Sequence, residues 1–244
     1  MPAPTQAEKT ERRIERRCRK AISDYQLIED GDKVLIGLSG GKDSLCLLEM
    51  LGKRMMIHKP SFTAMAVHIR MENVSYETDC EYIRQFAAKW NIPLYIETTR
   101  FEFDSSNKKT PCFLCSWNRR KQLFTKAQEL GCNKIALGHH MDDIIHTTMM
   151  NMFFQGHFST MPAKLRMKKM PITIIRPLCM VEERDILSHA ENMKYRQQVI
   201  KCPFEKDSHR SDMAEIFRCI ENMNPEIRYP MMNALEAEGK LIEI

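Results

Sequence analysis

Apolar and polar residues alternate along the chain in blocks that predict strands followed by helices. The first block runs from Lys33 to Leu38, and its almost unbroken apolar character is typical of a strand buried on both faces. This strand ends at Ser39-Gly40-Gly41, and a helical pattern of apolar residues begins at Leu45. Strands that alternate with helices favour a parallel sheet. The predicted strands are 33–38, 62–69, 94–96, 134–137 and 172–175, and the predicted helices are 10–25, 45–53, 76–90, 112–131, 142–155, 182–193, 214–220 and 227–241.

The pattern therefore predicts an α/β protein with a doubly wound, five-stranded parallel sheet. With 244 residues, 43% of them hydrophobic, the chain is long enough to bury one such core. We expect a basic N-terminal helix in residues 1–30, the α/β domain in 31–195 and a helical extension in 196–244. The stretch 156–171 is predicted to be a loop.

The turn after the first strand has the properties of an anion-binding site. Glycines at 40 and 41 allow a sharp turn, and the first N–H groups of the following helix have no partner within that helix. Such a helix start binds phosphate groups. The alternative is that Asp43 or Ser44 only caps the helix. The standard nucleotide motifs do not fit, because Asp43 follows Lys42 where a Walker loop requires Ser or Thr.

Two further groups of polar residues are predicted at the same edge of the sheet. His68 ends the second strand, and Gly138-His139-His140-Met141-Asp142-Asp143 follows the fourth. Open α/β sheets bind ligands at the carboxyl ends of their strands. A carboxylate there would hold Mg²⁺ on phosphates, and a histidine would contact the nucleotide or the substrate. Alternatively, His68 is an ordinary strand-end residue and the two aspartates cap a helix.

Nine cysteines favour thiols or metal ligands over disulfides in a cytosolic protein. Cys112 and Cys115 lie three residues apart at a predicted helix start, so their sulfur atoms face the same side. Such a pair occurs in zinc sites, in redox pairs, in iron–sulfur sites and as a merely structural feature. Cys202 is the natural third ligand because it lies in a loop before a proline. The patterns around Cys46, Cys80 and Cys219 predict that these thiols are buried.

Positive charge is concentrated at the N-terminus. The formal net charge is +5, and residues 1–20 contain seven basic residues against three acidic ones. A helix with Arg12, Arg16 and Lys20 on one side suits a phosphate backbone, although a solvated helix with local Glu–Arg pairs is the alternative. The first residues lack the apolar core of a signal peptide, and the uncharged stretch 144–163 is too polar for a membrane span. We therefore expect a cytoplasmic protein that does not enter the membrane.

The hexapeptide Ser39-Gly40-Gly41-Lys42-Asp43-Ser44 resembles the PP-loop of the ATP pyrophosphatases, which have an adenine nucleotide alpha hydrolase-like fold. Over nearly the whole chain, the order and spacing of motifs resemble those of the tRNA 2-thiocytidine synthetases. The matching features are the basic first helix, the PP-loop, Cys112-x-x-Cys115, Gly138 to Asp143, Met161 to Leu165, Ile175 to Leu178, and Cys202.

This resemblance implies that ATP, bound with Mg²⁺, adenylates the C2 oxygen of a tRNA cytidine and that sulfur then displaces AMP. It also implies a 4Fe-4S cluster held by Cys112, Cys115 and Cys202, with one iron left to carry an exogenous sulfide. The implied partners are tRNA and a sulfur donor such as a cysteine desulfurase or sulfide, and the family allows a homodimer. One departure from the family pattern is Glu205, which stands where relatives often have a second cysteine.

The resemblance, with the positive charge along the chain, assigns a role to each group of site residues. The catalytic residues would be Asp43, Cys112, Cys115 and Cys202. The ATP-binding residues would be Leu38, Ser39, Gly40, Gly41, Lys42, Asp43, Ser44, His68, Gly138 and His139, with Asp143 as the Mg²⁺ ligand. The RNA-binding residues would be Arg12, Arg16, Lys20, Arg119, Arg120, Lys164, Arg166 and Lys168.

Two other functions compete with tRNA thiolation. One is a PP-loop enzyme that adenylates a small carboxylate or amide and holds structural zinc at its cysteines. The other is an RNA-binding or sulfur-carrier module that retains a nucleotide-binding fold without catalysing a reaction.

Overall fold

The computed structural model describes residues 3–57, 59–72, 74–76, 80–101, 110–201 and 209–243. These residues form helices and strands that alternate along most of the chain. In chain order the elements are α1 (Gln6–Asp24), β1 (Lys33–Gly37), α2 (Lys42–Met55), β2 (Thr63–Met71), β3 (Ser75–Tyr76), α3 (Glu81–Lys89), β4 (Leu94–Thr99), α4 (Pro111–Glu129), β5 (Lys134–Ala136), α5 (Met141–Gln155), β6 (Lys164–Arg166), β7 (Thr173–Ile175), α6 (Glu183–Asn192), β8 (Ile200–Lys201), α7 (His209–Met223), α8 (Arg228–Ala237) and β9 (Ile242–Glu243).

The chain divides into two compact units. The first unit comprises Ile28–Gly138 and Met193–Glu205, and the second comprises Met1–Leu27, His139–Asn192 and Lys206–Ile244. The three-part division expected at residues 30 and 195 stays a prediction. No helix in the described ranges has the length and apolar character needed to cross a membrane.

The first unit contains four parallel strands in the order β4-β2-β1-β5. Leu35 and Ile36 in β1 are fully buried, as their apolar run predicts, and α2 buries Leu45, Leu47 and Leu48. Burial of such side chains contributes roughly 1.5–3 kcal/mol each before conformational entropy is counted. The carboxyl ends of all four strands therefore lie at one edge, where the ligand site is expected.

The second unit contains β7, β6 and β9 in that order, with β6 antiparallel to β7 and parallel to β9. Helix α1 packs against α6, and α5 packs against α7 and α8. The buried side chains of Ile14, Ile145, Ile186 and Phe217 come from these helices. The apolar faces of the helices thus cover each other around a core of their own.

Besides the ladder of β3 and β8, the described residues form four strands in the first unit and three in the second, where the sequence pattern predicts five. Strand β6 lies in the predicted loop 156–171, and β9 follows α8. The prediction of five strands, all parallel, was wrong here because strands of two or three residues are too short to show a period of two.

The prediction that Cys219 is buried was also wrong. Its thiol is exposed, because α7 directs Met213 and Phe217 inward instead. Cys46 and Cys80 are buried, as predicted.

Helix α1 starts earlier than predicted because Thr5 and Glu8 form a capping box. Its arginines have two different roles. Arg13 binds Asp185 through Nε at 2.7 Å and Nη2 at 2.5 Å, and Nη1 of Arg17 lies 2.6 Å from the Glu182 carboxylate. Both acidic side chains are almost fully buried. These two arginines therefore tie α1 to α6 and to the turn that precedes it, whereas Arg12, Arg16 and Arg19 are exposed.

Replacing Arg17 with alanine should lower the free energy of unfolding by about 2–3 kcal/mol. The reason is that Glu182, with 1% of its side chain exposed, would stay buried after losing a charged partner. Arg16→Ala is the matched control, because Arg16 is exposed on the same helix, and it should change stability by less than about 0.5 kcal/mol. Urea denaturation followed by circular dichroism measures both values. Equal losses in the two variants would contradict this role for Arg17.

Candidate active site

The turn between β1 and α2 is held by the hydroxyl groups of its own serines. The Gly40 N–H donates to Ser44 Oγ at 3.1 Å, and the Ser44 hydroxyl donates to the Gly41 carbonyl at 2.9 Å. Gly40 has a φ of +87°, a conformation that favours glycine. The N-cap of α2 is Gly41, and no side chain caps this helix. The first turn of α2 therefore presents its amides in the way that a bound phosphate requires.

Lys42 and Asp43 form an ion pair on this turn, with Nζ 3.1 Å from Oδ1. Gly41 is the N-cap residue, so Asp43 and Ser44 lie within the first turn of α2 and not at its N-cap position. Lys42 brings a positive charge to the turn, and Asp43 brings a carboxylate that is partly exposed. These are the groups that a phosphate with a bound cation would need.

His68 supports the entry to the turn. Its Nδ1–H donates to the Leu38 carbonyl at 2.8 Å, and the side chain is buried. Burial is the main cause that lowers the pKa of His68, and the nearby charges of Arg119 and Arg70 lower the pKa further, against the opposing effect of the Leu38 bond. His68 is therefore a neutral imidazole at pH 7 that holds the backbone just before the glycines, while its predicted contact with ATP stays a prediction.

Gly138 brings the end of β5 against the start of α2. A Cβ atom added at Gly138 would lie 3.0 Å from the Asp43 carbonyl and 3.1 Å from the Ser44 nitrogen. Only glycine allows this approach without a shift of the backbone. The loops after β1 and β5 thus meet at one edge, as expected for an open α/β sheet.

A segment from later in the chain closes over the turn, and we call residues 194–201 the strap. The Gln198 N–H donates to the Gly40 carbonyl at 3.0 Å, and a Cβ atom at Gly40 would lie 2.3 Å from Gln198 Cγ. The Tyr195 hydroxyl donates to the buried Glu49 carboxylate in α2 at 2.6 Å. The sequence analysis did not predict this contact, because a contact made through backbone atoms has no signature in the sequence.

The strap ends in β8, which pairs with β3 in an antiparallel ladder. The register places Lys201 opposite Ser75. Ser75 follows Val74, and Val74 belongs to a buried cluster with Met71 and Phe101. The strap therefore joins the turn at Gly40 to the neighbourhood of this cluster.

The predicted cysteine pair lies at the start of α4, against the same cluster. Thr110 caps α4 by accepting from the Phe113 N–H at 3.3 Å. Cys112 is exposed, whereas Cys115 is half-buried and packs with Leu114 against the cluster formed by Met71, Val74 and Phe101. Cys202 and Glu205 lie outside the described residues. Within the described ranges, no group of three His, Cys, Asp or Glu side chains could hold a metal ion.

The predicted residues of the second unit are engaged in local contacts. His140 is the N-cap of α5, and it forms a capping box with Asp143, whose carboxylate accepts from the His140 N–H at 3.2 Å. His139 Nδ1 accepts from Arg176 Nε at 3.2 Å. Binding of Mg²⁺ by Asp143 and of ATP by His139 stay predictions.

Asp142 is buried and is bound from two directions. Its Oδ1 accepts from Arg228 Nε at 2.8 Å, and its Oδ2 accepts from the Glu183 N–H at 2.7 Å. Burial raises the pKa of Asp142, but the Glu183 amide and Arg228 outweigh this effect and leave the pKa below its usual value. Asp142 is therefore a charged carboxylate, and it links α5 to Glu183 at the start of α6 and to Arg228 at the start of α8.

The residues predicted to bind RNA differ in how accessible they are. Arg12, Arg16, Arg120, Arg166 and Lys168 are exposed, and Lys20 is exposed but pairs with Asp24. Arg119 is half-buried near His68, and Lys164 donates to the Gln26 carbonyl at 2.8 Å. The exposed set presents the charges that a phosphate backbone needs, and its role stays a prediction.

Comparison with known proteins agrees with this geometry. Residues 10–199 match the family described as PP-loop domain. The tRNA-cytidine(32) 2-sulfurtransferase of Citrifermentans bemidjiense is 33% identical over 229 residues, which cover 91% of this chain and 89% of that protein. The enzyme of the same name from Paracidovorax citrulli is 36% identical over 241 residues, covering 95% of this chain and 76% of that protein.

The chain belongs to the tRNA 2-thiocytidine synthetase family of PP-loop proteins. Among solved structures, it is similar to the U34-tRNA thiolase NcsA from Methanococcus maripaludis with its [4Fe-4S] cluster. The TM-score is 0.77 at 25% identity, and the match covers 95% of this chain and 79% of that one. The resemblance found in the sequence motifs and the predicted fold class are thereby confirmed.

Gly40→Ala should weaken ATP binding at the PP-loop at least tenfold, because the new Cβ atom would overlap Gln198 and displace either the loop or the strap. Gly31→Ala is the matched control. Gly31 has a φ of +85°, but nothing lies within 4 Å of the position of its added Cβ. Both variants should lose roughly 1–2 kcal/mol of stability from backbone strain, and only Gly40→Ala should lose ATP affinity. Calorimetric titration with ATP measures both affinities. Equal ATP affinities in the two variants would contradict the prediction that the close fit at Gly40 matters for ATP binding.

Proposed function

We propose that this protein catalyses the ATP-dependent replacement of the C2 oxygen of a tRNA cytidine by sulfur. Relatives at 33–36% identity bear the name of this reaction. The observation that carries the proposal is the strap. It covers the PP-loop at Gly40 and runs into β8, so that the residue before Cys202 pairs beside the cluster against which Cys115 packs.

ATP would be bound with its phosphates at the uncapped N-terminus of α2. The C2 oxygen of the cytidine attacks the α-phosphorus, the bond from this phosphorus to the bridging oxygen breaks, and pyrophosphate leaves. Lys42 and the amides in the first turn of α2 would stabilise the negative charge that develops on the leaving pyrophosphate. Asp43 would hold the Mg²⁺ that accompanies ATP, because its carboxylate lies on the PP-loop itself.

Adenylation makes the second step possible. The C2 oxygen of cytosine is a poor leaving group, whereas AMP is a good one. When sulfide attacks C2, the carbon–sulfur bond forms and AMP leaves with the former C2 oxygen. The neutral His68 is suited to hold the PP-loop without adding a charge that would compete with Lys42.

The cysteines fit an iron–sulfur cluster with three protein ligands. Cys112 and Cys115 lie one turn apart at a helix start, and Cys112 is exposed. With Cys202 they would hold a [4Fe-4S] cluster, which supplies one iron free of protein ligands for an exogenous sulfide. The sulfide itself would come from a cysteine desulfurase or from free sulfide. A homodimer and a cytoplasmic location stay predictions.

Replacing any one of Cys112, Cys115 or Cys202 by alanine should abolish 2-thiocytidine formation and lower the iron content of the anaerobically purified protein. Removal of one of three thiolates leaves an incomplete set of ligands. Cys219→Ser is the matched control, because this exposed thiol lies in the second unit, on α7, and it should retain both iron and activity. Mass spectrometry of tRNA nucleosides from complemented deletion cells, together with iron analysis, measures the two effects.

The same nucleoside analysis separates the possible targets. Loss of 2-thiocytidine on deletion supports the proposal, and loss of 2-thiouridine instead would assign the enzyme to a uridine, as in the structural neighbour. ATP cleavage that depends on a small carboxylate rather than on RNA would favour an unrelated adenylating enzyme. A colourless protein that still thiolates tRNA would contradict the role given to the cysteines.

A further inference from the structure

The first three turns of α4 expose one continuous face. This face contains a ligand cysteine, two aromatic rings and two cations: Cys112, Phe113, Ser116, Trp117, Arg120 and Lys121. Residues three and four apart on a helix are neighbours, so these side chains form a single surface. We call it the α4 face.

The two aromatic residues on the α4 face are open to solvent. Trp117 is 50% exposed and Phe113 is 49% exposed, one turn apart. Lys121 Nζ lies 5.5 Å from the centre of the Trp117 ring. A tryptophan next to a cation on an open surface is the combination on which proteins stack unpaired nucleobases.

The charge of α4 selects the class of partner. From Pro111 to Gln128 the helix contains no Asp or Glu, whereas it carries Arg119, Arg120, Lys121 and Lys126. Arg120 is fixed along the helix by its bond to Ser116 Oγ at 3.1 Å. A surface that combines aromatic rings with positive charge and lacks carboxylates complements a single-stranded RNA segment, in which unstacked bases alternate with phosphates.

We infer that the α4 face is the platform on which the tRNA loop stacks an unpaired base beside Cys112, with Trp117 and Phe113 as the stacking rings and Arg120 and Lys121 on the phosphates. This inference rests on the proposed function and identifies the surface that recognises its substrate. Cys112 lies next to Phe113 at the same helix start, so a base held by this face would lie beside a thiol assigned to sulfur transfer. Trp117 is here a binding residue, and it takes no part in holding the nucleotide.

The test compares binding of two RNA probes to the purified protein. One probe is a tRNA anticodon stem-loop with a cytidine at position 32, the nucleotide in the name of the relatives, and the other is a blunt duplex made from its stem. Trp117→Ala should weaken binding of the stem-loop about tenfold and leave duplex binding unchanged, since stacking acts on unpaired bases only. Trp117→Phe keeps a stacking ring and should bind the stem-loop within about threefold of the wild type. Phe153→Ala is the matched control, because Phe153 is 60% exposed on a different helix.

A second measurement uses the fact that the chain contains two tryptophans, Trp90 and Trp117. Binding of the stem-loop should quench the fluorescence of the wild type, and this quenching should disappear in Trp117→Phe although that variant still binds. Iron content should be unchanged in every variant, which separates base stacking from loss of the cluster site.

Equal weakening of stem-loop and duplex binding in Trp117→Ala would overturn the inference, because it would reduce the face to a general positive surface. Wild-type affinity in Trp117→Ala would overturn it as well. So would a Trp117→Ala protein that binds RNA normally but no longer self-associates in sedimentation, because the face would then belong to a second copy of the chain. If the wild type forms no 2-thiocytidine but stacks the loop, the proposed reaction fails while the platform stands.

Discussion

The backbone contact between Gly40 and Gln198 is the constraint on which the rest of the first unit depends. Gly40 adopts a positive φ and leaves no room for a side chain, because Gln198 lies directly against it. The same strap is fixed to α2 through Tyr195 and Glu49 and then enters the ladder with β3. A single stretch of chain thus contacts the PP-loop and then enters the ladder beside the cluster against which Cys115 packs.

Two steps of one reaction place opposite demands on such a site. Adenylation needs positive charge and backbone amides around the phosphates, whereas sulfur transfer needs thiolates and a soft metal. The first unit separates these demands along its own chain. The strap contacts the PP-loop through Gln198 at Gly40, and Cys115, packed against Met71 and Val74, lies near the ladder into which the strap runs. His68 fits this arrangement, because burial lowers its pKa and the neutral imidazole adds no charge beside the PP-loop.

The parts that the sequence predicted well are those with strong local signals. The apolar run of β1, the two glycines and the helical pattern of α2 predicted that strand, turn and helix. The strand bounds were correct to within one residue, whereas α2 begins three residues before the predicted start at Leu45. The strap contact and strands β3, β6, β8 and β9 were missed, because short ladders and backbone hydrogen bonds impose no pattern on side chains. The sequence shows how many charges α1 carries, but not which of them bind buried partners and which face solvent. Only tertiary contacts separate Arg17, which binds buried Glu182, from the exposed Arg16 beside it.

The ladder between β3 and β8 also bears on how this chain can change over evolutionary time. Main-chain hydrogen bonds join these strands, and such bonds form with almost any side chain except proline. The position of Lys201 is therefore specified by peptide groups rather than by the identity of Ser75, Ile200 or Lys201 itself. Substitutions on either strand can therefore accumulate while the backbone path up to Lys201 is kept.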